Sequence, residues 1–274
     1  MKVSVLMITY NHAKYIKQAV ECILNQETKF DFELIISNDN SPDETDSIVN
    51  EIISENPKGN LIQYFKHDKN IGMMPNFLFT LNKAKGEYVA LCEGDDYWTS
   101  NLKLEKQVLF LDQNKEYSIC FHNVQTLENG VLKDNEIQSE ILETSTIIDL
   151  AKYNFIQTPS VVYRNHLFES FPDYFVSSPI GDYFLHMLNA KYGKIKFLNE
   201  NMAVYRIHHT SYWSSKQQID REIIWADFLK NIKPNFEKPV RKILSKQIYQ
   251  LKKQRLSGID KIVHKIKYKI NGLF

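Results

Sequence analysis

The sequence predicts an α/β protein built on a doubly wound, mostly parallel sheet with helices on both faces and a helical extension at its C-terminus. Three observations carry that prediction. Through the first 125 residues, short β-branched apolar runs alternate with stretches of helical periodicity. The runs are almost continuously apolar, as expected of strands covered on both faces. Each ends in a cluster of polar residues, and in sheets of this kind ligands bind beyond the carboxyl ends of the strands.

The elements follow in order. KVSVLMIT (2–9) is a central strand that runs into a loop at Thr9-Tyr10-Asn11. A helix over about 13–25 puts Ile16, Val20, Ile23 and Leu24 on one face. FELIISN (32–38) is the second strand, and SPDETDSIVNEII after it sets Pro42 at a first-turn position with acids near the start, a helix-entry pattern. LIQYF (61–65), PNFLFTLNKA (75–84) and EYVALC (87–92) continue as strand, helix and strand. After the apolar run YSICFHNV (117–124) the alternation stops, and the polar stretch 125–144 reads as an excursion or linker. A short helix (147–153), a strand SVVYR (160–164), a helix (182–192), a strand (202–207) and helices from 216 complete the chain. This divides it into a first half (1–125), a second half of the same domain (126–235) and a tail (236–274).

Composition excludes several classes. At 274 residues and 43% hydrophobic content the chain can bury one large core, or one core with a smaller appended piece. Cys22, Cys92 and Cys120 are far apart, so neither a disulfide framework nor a zinc site is indicated, and a reducing cytoplasm fits. The apolar run at 3–8 is too short for a signal-peptide core or a membrane span. Net charge is +1, yet from residue 238 onward Lys and Arg number 11 against the single Asp260. Within that tail Ile259, Ile262, Val263, Ile266, Ile270 and Leu273 recur at spacings of three and four, with Lys261, Lys265, Lys267 and Lys269 between them. Two readings fit this basic amphipathic helix: it lies on an anionic membrane surface, or it packs on the body or on another subunit. No nucleic-acid platform is recognisable.

The segment GEYVALCEGDDYW (86–98) carries the chemistry, because Glu93, Asp95 and Asp96 follow directly on a buried strand. Carboxylates so placed repel one another, and a hard cation such as Mg2+ or Mn2+ relieves the repulsion through oxygen coordination. The alternative is that Asp95 and Asp96 cap a helix at about 102–111.

Beyond these local readings, VSVLMITYNHAKYIKQAVECILNQ, FELIISNDNSPDET, NIGMMPNFLFTLNKAKGEYVALCEGDD and SPIGDYFLHML, in this order, resemble family 2 glycosyltransferases of the Rossmann-like GT-A fold. The resemblance covers about residues 1–125 and, more weakly, 155–215. It implies inverting, metal-dependent transfer of a sugar from a nucleotide-diphosphate sugar, UDP-sugar favoured, to a hydroxyl of a saccharide or lipid-linked saccharide. Mn2+ or Mg2+ is the implied cofactor. The implied location is cytoplasmic, with peripheral contact at the inner face of the membrane if the tail binds lipid.

Carried over residue by residue, the resemblance puts Thr9 and Tyr10 against the base and ribose, with Asn11 beside them. Asp39 would accept the imide N–H of the base. Asn70 and Gly72 match an N-x-G donor loop, with a plain turn as the alternative. The family's D-x-D motif falls on Glu93-Gly94-Asp95, a departure at its first position, with Asp95 as the direct metal ligand. Asp96 is left between ribose, metal-bound water and helix cap. Asp182 takes the place of the catalytic base. Arg206 and His208 match an R-x-H segment, Arg206 toward the diphosphate and His208 toward the metal, with His209 as competitor. The alternatives are an ordinary loop at Thr9 and Tyr10, an Asx turn at Asp39, a helix N-cap at Asp182 and an exposed loop histidine at 208. Tyr97, Trp98, Tyr212 and Trp213 either stack on sugar or pack. Two competing functions are a nucleotidyltransferase, although TYNHAKYIKQ lacks the glycine-rich basic loop that would hold a triphosphate, and a nucleotide-sugar-binding module without catalysis.

Overall fold

The computed structural model describes residues 1–134, 141–208, 213 and 216–255. Strands β1 (Val3–Thr9), β2 (Phe32–Asn38), β3 (Ile62–Lys66) and β4 (Tyr88–Leu91) pair in parallel in the spatial order β3-β2-β1-β4. Beyond β4 the order continues β9 (Val162–Arg164), β6 (Tyr117–Glu128), β10 (Lys194–Ile207) and β5 (Tyr97–Trp98), with the two-residue β8 (Thr144–Ser145) pairing β10 off this path. β9 runs antiparallel to both β4 and β6, whereas β10 runs parallel to β6. The result is the mixed, mostly parallel sheet that the strand–helix alternation predicts.

Both faces are covered. Val3, Val5 and Met7 of β1 pack with Ile16, Val20 and Ile23 of α1 (Ile16–Leu24), Val49 of α2 (Thr45–Glu55) and Val108 of α4 (Lys103–Gln113). The other face, from Leu6, Ile35 and Leu91, packs with Met74 of α3 (Met73–Leu81), with Leu150 of α5 (Ile147–Leu150) and with Phe184 and Leu188 of α6 (Gly181–Asn189). Each fully buried aliphatic side chain contributes about 1.5–3 kcal/mol, so a strand covered twice has little use for polar positions. The one such position inside β1, Ser4, is satisfied: its hydroxyl donates to Glu33 at 2.6 Å and accepts the Gly86 N–H at 2.8 Å.

Some boundaries differ from the sequence expectation for physical reasons. Pro42 precedes α2, which starts at Thr45; the Asp43 carboxylate accepts both the N–H and the hydroxyl of Thr45 and so sets the helix entry. The stretch 125–144 is not all linker. β6 continues to Glu128 and folds back as β7 (Val131–Asp134) across Asn129-Gly130, whose φ values are 51° and 78°. Two positive φ values are what a tight hairpin turn with the strands' own twist requires, and Asn-Gly supplies them cheaply. β10 begins eight residues before the predicted strand, because its whole length is held by β6.

At the C-terminal end, α7 (Gln218–Ile232) and α8 (Lys238–Arg255) pack against each other. The first turns of the basic tail therefore lie on the body, with Val240, Leu244 and Ile248 of α8 buried. The amphipathic stretch from 259 lies outside the described residues, as do His209 and Tyr212. Among the described residues no helix is long and apolar enough to cross a membrane.

Candidate active site at the strand ends

Parallel register sets the carboxyl ends of the first strands level with one another. Thr9 pairs with Asn38, Asn38 with Lys66, and the Gly94 N–H extends the β1–β4 ladder by donating to the Ile8 carbonyl at 3.1 Å. Thr9, Asp39 and the loop after β4 are thus neighbours. The turn after β1 is held by three side chains between the end of β2 and the first residue of α2: Ser41 accepts the N–H of Asn11, Thr45 that of His12 and Asp43 that of Ala13. Asn11 sits at φ 61° within it. Tyr10 is exposed, whereas Thr9 is buried with its hydroxyl lacking any hydrogen-bond partner.

Asp39 is 3% exposed, and its two carboxylate oxygens accept the Ile71 N–H (2.7 Å) and the Gly72 N–H (2.9 Å). It therefore ties the Asn70–Gly72 loop and the start of α3 to the end of β2. Gly72 adopts φ 93°, which favours glycine, and the Asn70 side chain also accepts its N–H. The Asp39 carboxylate makes its two bonds to Ile71 and Gly72 in place of the Asx turn expected as the alternative, and the neighbouring Asn38 Oδ1 accepts the Ser41 N–H three residues on at 2.8 Å.

After β4, Glu93, Asp95 and Asp96 each present a carboxylate oxygen within 4.8 Å of the other two. Gly94 makes that turn possible, since a Cβ there would lie 2.7 Å from Thr9 Oγ1 and 2.9 Å from His12 Nδ1. Burial and then the charges of Asp95 and Asp182 push the Glu93 carboxyl up to about 8. Burial also raises Asp95, but the hydrogen bond with His208 and the nearby His12 outweigh it and hold that carboxyl below its ordinary value. His208 Nε2 lies 2.9 Å from Asp95 Oδ2, and His12 Nε2 lies 3.7 Å from the same oxygen.

Neither Asp95 nor Asp96 caps a helix. α4 starts after Leu102 with no side-chain cap, and Asp96, fully buried, accepts the Arg206 N–H at 2.8 Å. That bond pins the end of β10 to the acidic turn. The Arg206 guanidinium is occupied inside the protein: it donates to the Asp95 carbonyl and to Gln18, 4.4 Å over the Tyr97 ring. Tyr97 and Trp98 thereby serve packing, with the Trp98 indole donating to the Pro159 carbonyl; Trp213 is packed against the core.

Asp182 reaches the same place from the other half of the chain. It is the second residue of α6, and Ile180, the residue at the cap position, makes no side-chain cap bond. The Thr158 hydroxyl donates to the Asp182 carboxylate at 3.3 Å. Gly181 lets α6 approach α3, since a Cβ would meet Met74 Sδ at 2.2 Å. Sequence reasoning missed His12, Thr158 and Tyr205, whose hydroxyl is raised by burial and by the four surrounding carboxylates. His12 stands within TYNH, beside residues already singled out; position in that turn was the available signal.

The donor set suits a divalent cation. Asp95 Oδ1 and Asp96 Oδ2 are buried without hydrogen-bond partners, leaving carboxylate oxygens available in a cluster whose mutual repulsion a cation relieves. Fold and site together define a doubly wound α/β protein with a carboxylate cluster suited to a metal beyond its strand ends. Residues 4–171 match the family described as glycosyl transferase family 2. An uncharacterized protein of Mycobacterium tuberculosis is 40% identical over 223 residues, which take in 81% of this chain and 63% of that protein. An uncharacterized glycosyltransferase of a Nostoc species is 30% identical over 220 residues, 76% of this chain and 65% of its own length. The chain thus spans a little under two thirds of these relatives. Staphylococcus aureus TarS 1–349, solved with UDP-GlcNAc, has the same fold: TM-score 0.67 at 22% identity, over 91% of this chain and 72% of that one. So does PcManGT, a mannosyltransferase from Pyrobaculum calidifontis solved with GDP-Man and Mn2+, with TM-score 0.69 at 16% identity, over 90% and 69%. The chain belongs to glycosyl transferase family 2.

Proposed function

We propose that the protein transfers a sugar from a nucleotide-diphosphate sugar, a UDP-sugar by preference, to a hydroxyl of a saccharide or lipid-linked saccharide, with inversion. The observation that carries this reading is the meeting of two halves: the Glu93-Asp95-Asp96 cluster after β4 and Asp182 on α6, close enough for the Asp182 charge to act on Glu93. Family membership and the nucleotide-sugars bound by TarS and PcManGT support it.

The residues divide the work as follows. Thr9, Tyr10 and Asn11 border the nucleoside, and Asp39, fixed by two backbone N–H groups, keeps acceptor capacity for the N–H of the base. Asp95, with His208, would hold Mn2+ or Mg2+, which supplies charge neutralisation to the departing diphosphate. Asp182 accepts the proton of the acceptor hydroxyl as its oxygen bonds to the anomeric carbon; the bond from that carbon to the diphosphate oxygen breaks, and the nucleoside diphosphate leaves with the electron pair. Thr158 orients Asp182 for that step. Arg206 acts by fixing the Asp95 backbone. Residues 1–125 would then serve the donor and 126–235 the acceptor.

Thermal unfolding with a series of nucleotide-sugars and Mn2+ tests donor binding, because a ligand of the folded state raises its apparent stability. Radiolabelled donor then tests chemistry. Asp182→Asn should lose at least about 100-fold in transfer and keep the donor-induced stabilisation. Full transfer by this variant would remove Asp182 from the role of base, and release of pyrophosphate instead of sugar transfer would point to a nucleotidyltransferase.

A further inference from the structure

α8 carries seven cations and no acid over its 18 residues. Its apolar side is already covered: Val240, Leu244 and Ile248 are buried, and Ile243 and Leu251 pack against the same core. Lys238, Arg241, Lys242, Lys246 and Lys253 are left exposed. Body lysines such as Lys2, Lys66, Lys106, Lys133 and Lys152 each meet a carboxylate. Among the described residues none of the five exposed cations of α8 does. Like charges four residues apart on a helix repel, so an anionic partner on this face relieves a cost the free protein carries.

The arrangement of the cations selects the kind of anion. Lys238, Lys242, Lys246 and Lys253 share one face of the helix and form a line about 22 Å long at about 1.5 Å per residue. A single phosphate or carboxylate needs donors that converge on it, whereas neighbours on this line stand about 5–6 Å apart along a ridge. An extended anionic surface meets all of them at once. The rest of the chain opposes any other approach, since residues 1–237 carry 23 Lys and Arg against 32 Asp and Glu. A nucleic-acid strand running on past the helix would cross that acidic body, whereas a bilayer touches only the side turned to it.

α8 also belongs to the side proposed above to serve the acceptor. Gln247 donates to the carbonyl of Ala151 at the end of α5, and the preceding carbonyl, of Leu150, accepts the hydroxyl of Tyr183 at 2.9 Å. Tyr183 follows Asp182 at the start of α6, so α8 is braced against the element that carries the proposed base. We infer that the outer face of α8 is a docking surface for an anionic lipid bilayer, held by headgroup charge without apolar insertion, which turns the acceptor side of the site toward the membrane. Docking does not depend on the transfer reading; its use, presenting a lipid-linked acceptor to Asp182, rests on that reading.

The test sediments the full chain, without donor or metal, with vesicles of phosphatidylcholine alone or with about 30% phosphatidylglycerol. The protein should bind only the anionic vesicles and come off in about 1 M NaCl, where the Debye length is about 3 Å. Each cation near such a surface is worth roughly fivefold, so Lys242→Gln, Lys246→Gln and Lys253→Gln together should weaken binding on the order of 100-fold. Lys115→Gln, Lys133→Gln and Lys194→Gln together remove the same charge from exposed body positions and should weaken it much less. Equal loss in the two triple variants, or unchanged binding by the α8 variant, overturns this face as the docking element. Equal binding to neutral vesicles, or none to anionic ones, overturns docking by headgroup charge. Tighter binding to duplex DNA than to anionic vesicles overturns the bilayer as partner and assigns the face to nucleic acid. Salt-sensitive vesicle binding by a protein that transfers no sugar leaves the docking surface standing and removes only the transferase reading.

Discussion

Lys103 offers a quantitative test of how the core beneath the acidic turn is built. The side chain is 0% exposed, its ammonium lies 2.9 Å from Gln107 Oε1 and 4.1 Å over the Trp98 ring, and no carboxylate among the described residues pairs with it. Burial pulls the amine from its ordinary 10.5 down to about 7, with Cys92, Cys120 and Cys22 pulling more weakly the other way. In the unfolded chain the amine keeps its proton up to the ordinary value. Between about pH 7 and pH 10.5 the unfolded state therefore binds more protons, and stability rises with pH. For these two values the gain is about 2 kcal/mol between pH 7 and pH 9. Lys103→Met has no proton to lose and should lack that gain. It also leaves Gln107 Oε1 without its donor, an offset of about 1–3 kcal/mol that does not vary with pH. Urea unfolding of both proteins from pH 7 to pH 9 separates the two effects. The stability of the variant minus that of the wild type should fall by about 2 kcal/mol across the window. A difference constant with pH would refute the reasoning, because it would mean that Lys103 stays charged in the folded protein.

Other outcomes follow from the site's geometry. Gly94→Ala places a Cβ 2.7 Å from Thr9 Oγ1 and 2.9 Å from His12 Nδ1, so it should cost about 1–3 kcal/mol in urea unfolding and displace Asp95 enough to weaken Mn2+ binding. Asp39→Ala strips the acceptor from the Ile71 and Gly72 N–H groups; it should cost about 1–3 kcal/mol and abolish the thermal shift by UDP-sugars. Arg206→Lys cannot reach the Asp95 carbonyl and Gln18 together from over Tyr97, and should lower both Tm and transfer rate while leaving far-UV circular dichroism unchanged.

Much of the fold was legible because burial on both faces writes itself into composition: β1, β2 and β4 are apolar runs, and their polar ends mark where the site lies. β10 was legible only at its end, since KIKFLNEN carries polar residues where one side faces solvent. The β6–β7 hairpin was missed although Asn129-Gly130 announces it, because its strands are polar and its exposed face buries little. The two-residue β5 is too short for any period to show.

For the site, sequence alone determined which residues could do chemistry: the carboxylates after β4, Asp39, Asp182 and the Arg206–His208 segment all stand in motifs that order and spacing single out. What each side chain touches was decided by tertiary structure. Asp96 holds the backbone of β10, Arg206 is spent on Gln18 and the Asp95 carbonyl, and Asp39 organises the loop before α3. His12 reaches Asp95 from 83 positions away in the chain. The reason is that a motif specifies a residue type and a local turn, whereas a hydrogen bond or a ligand distance depends on which distant strand the sheet places beside it.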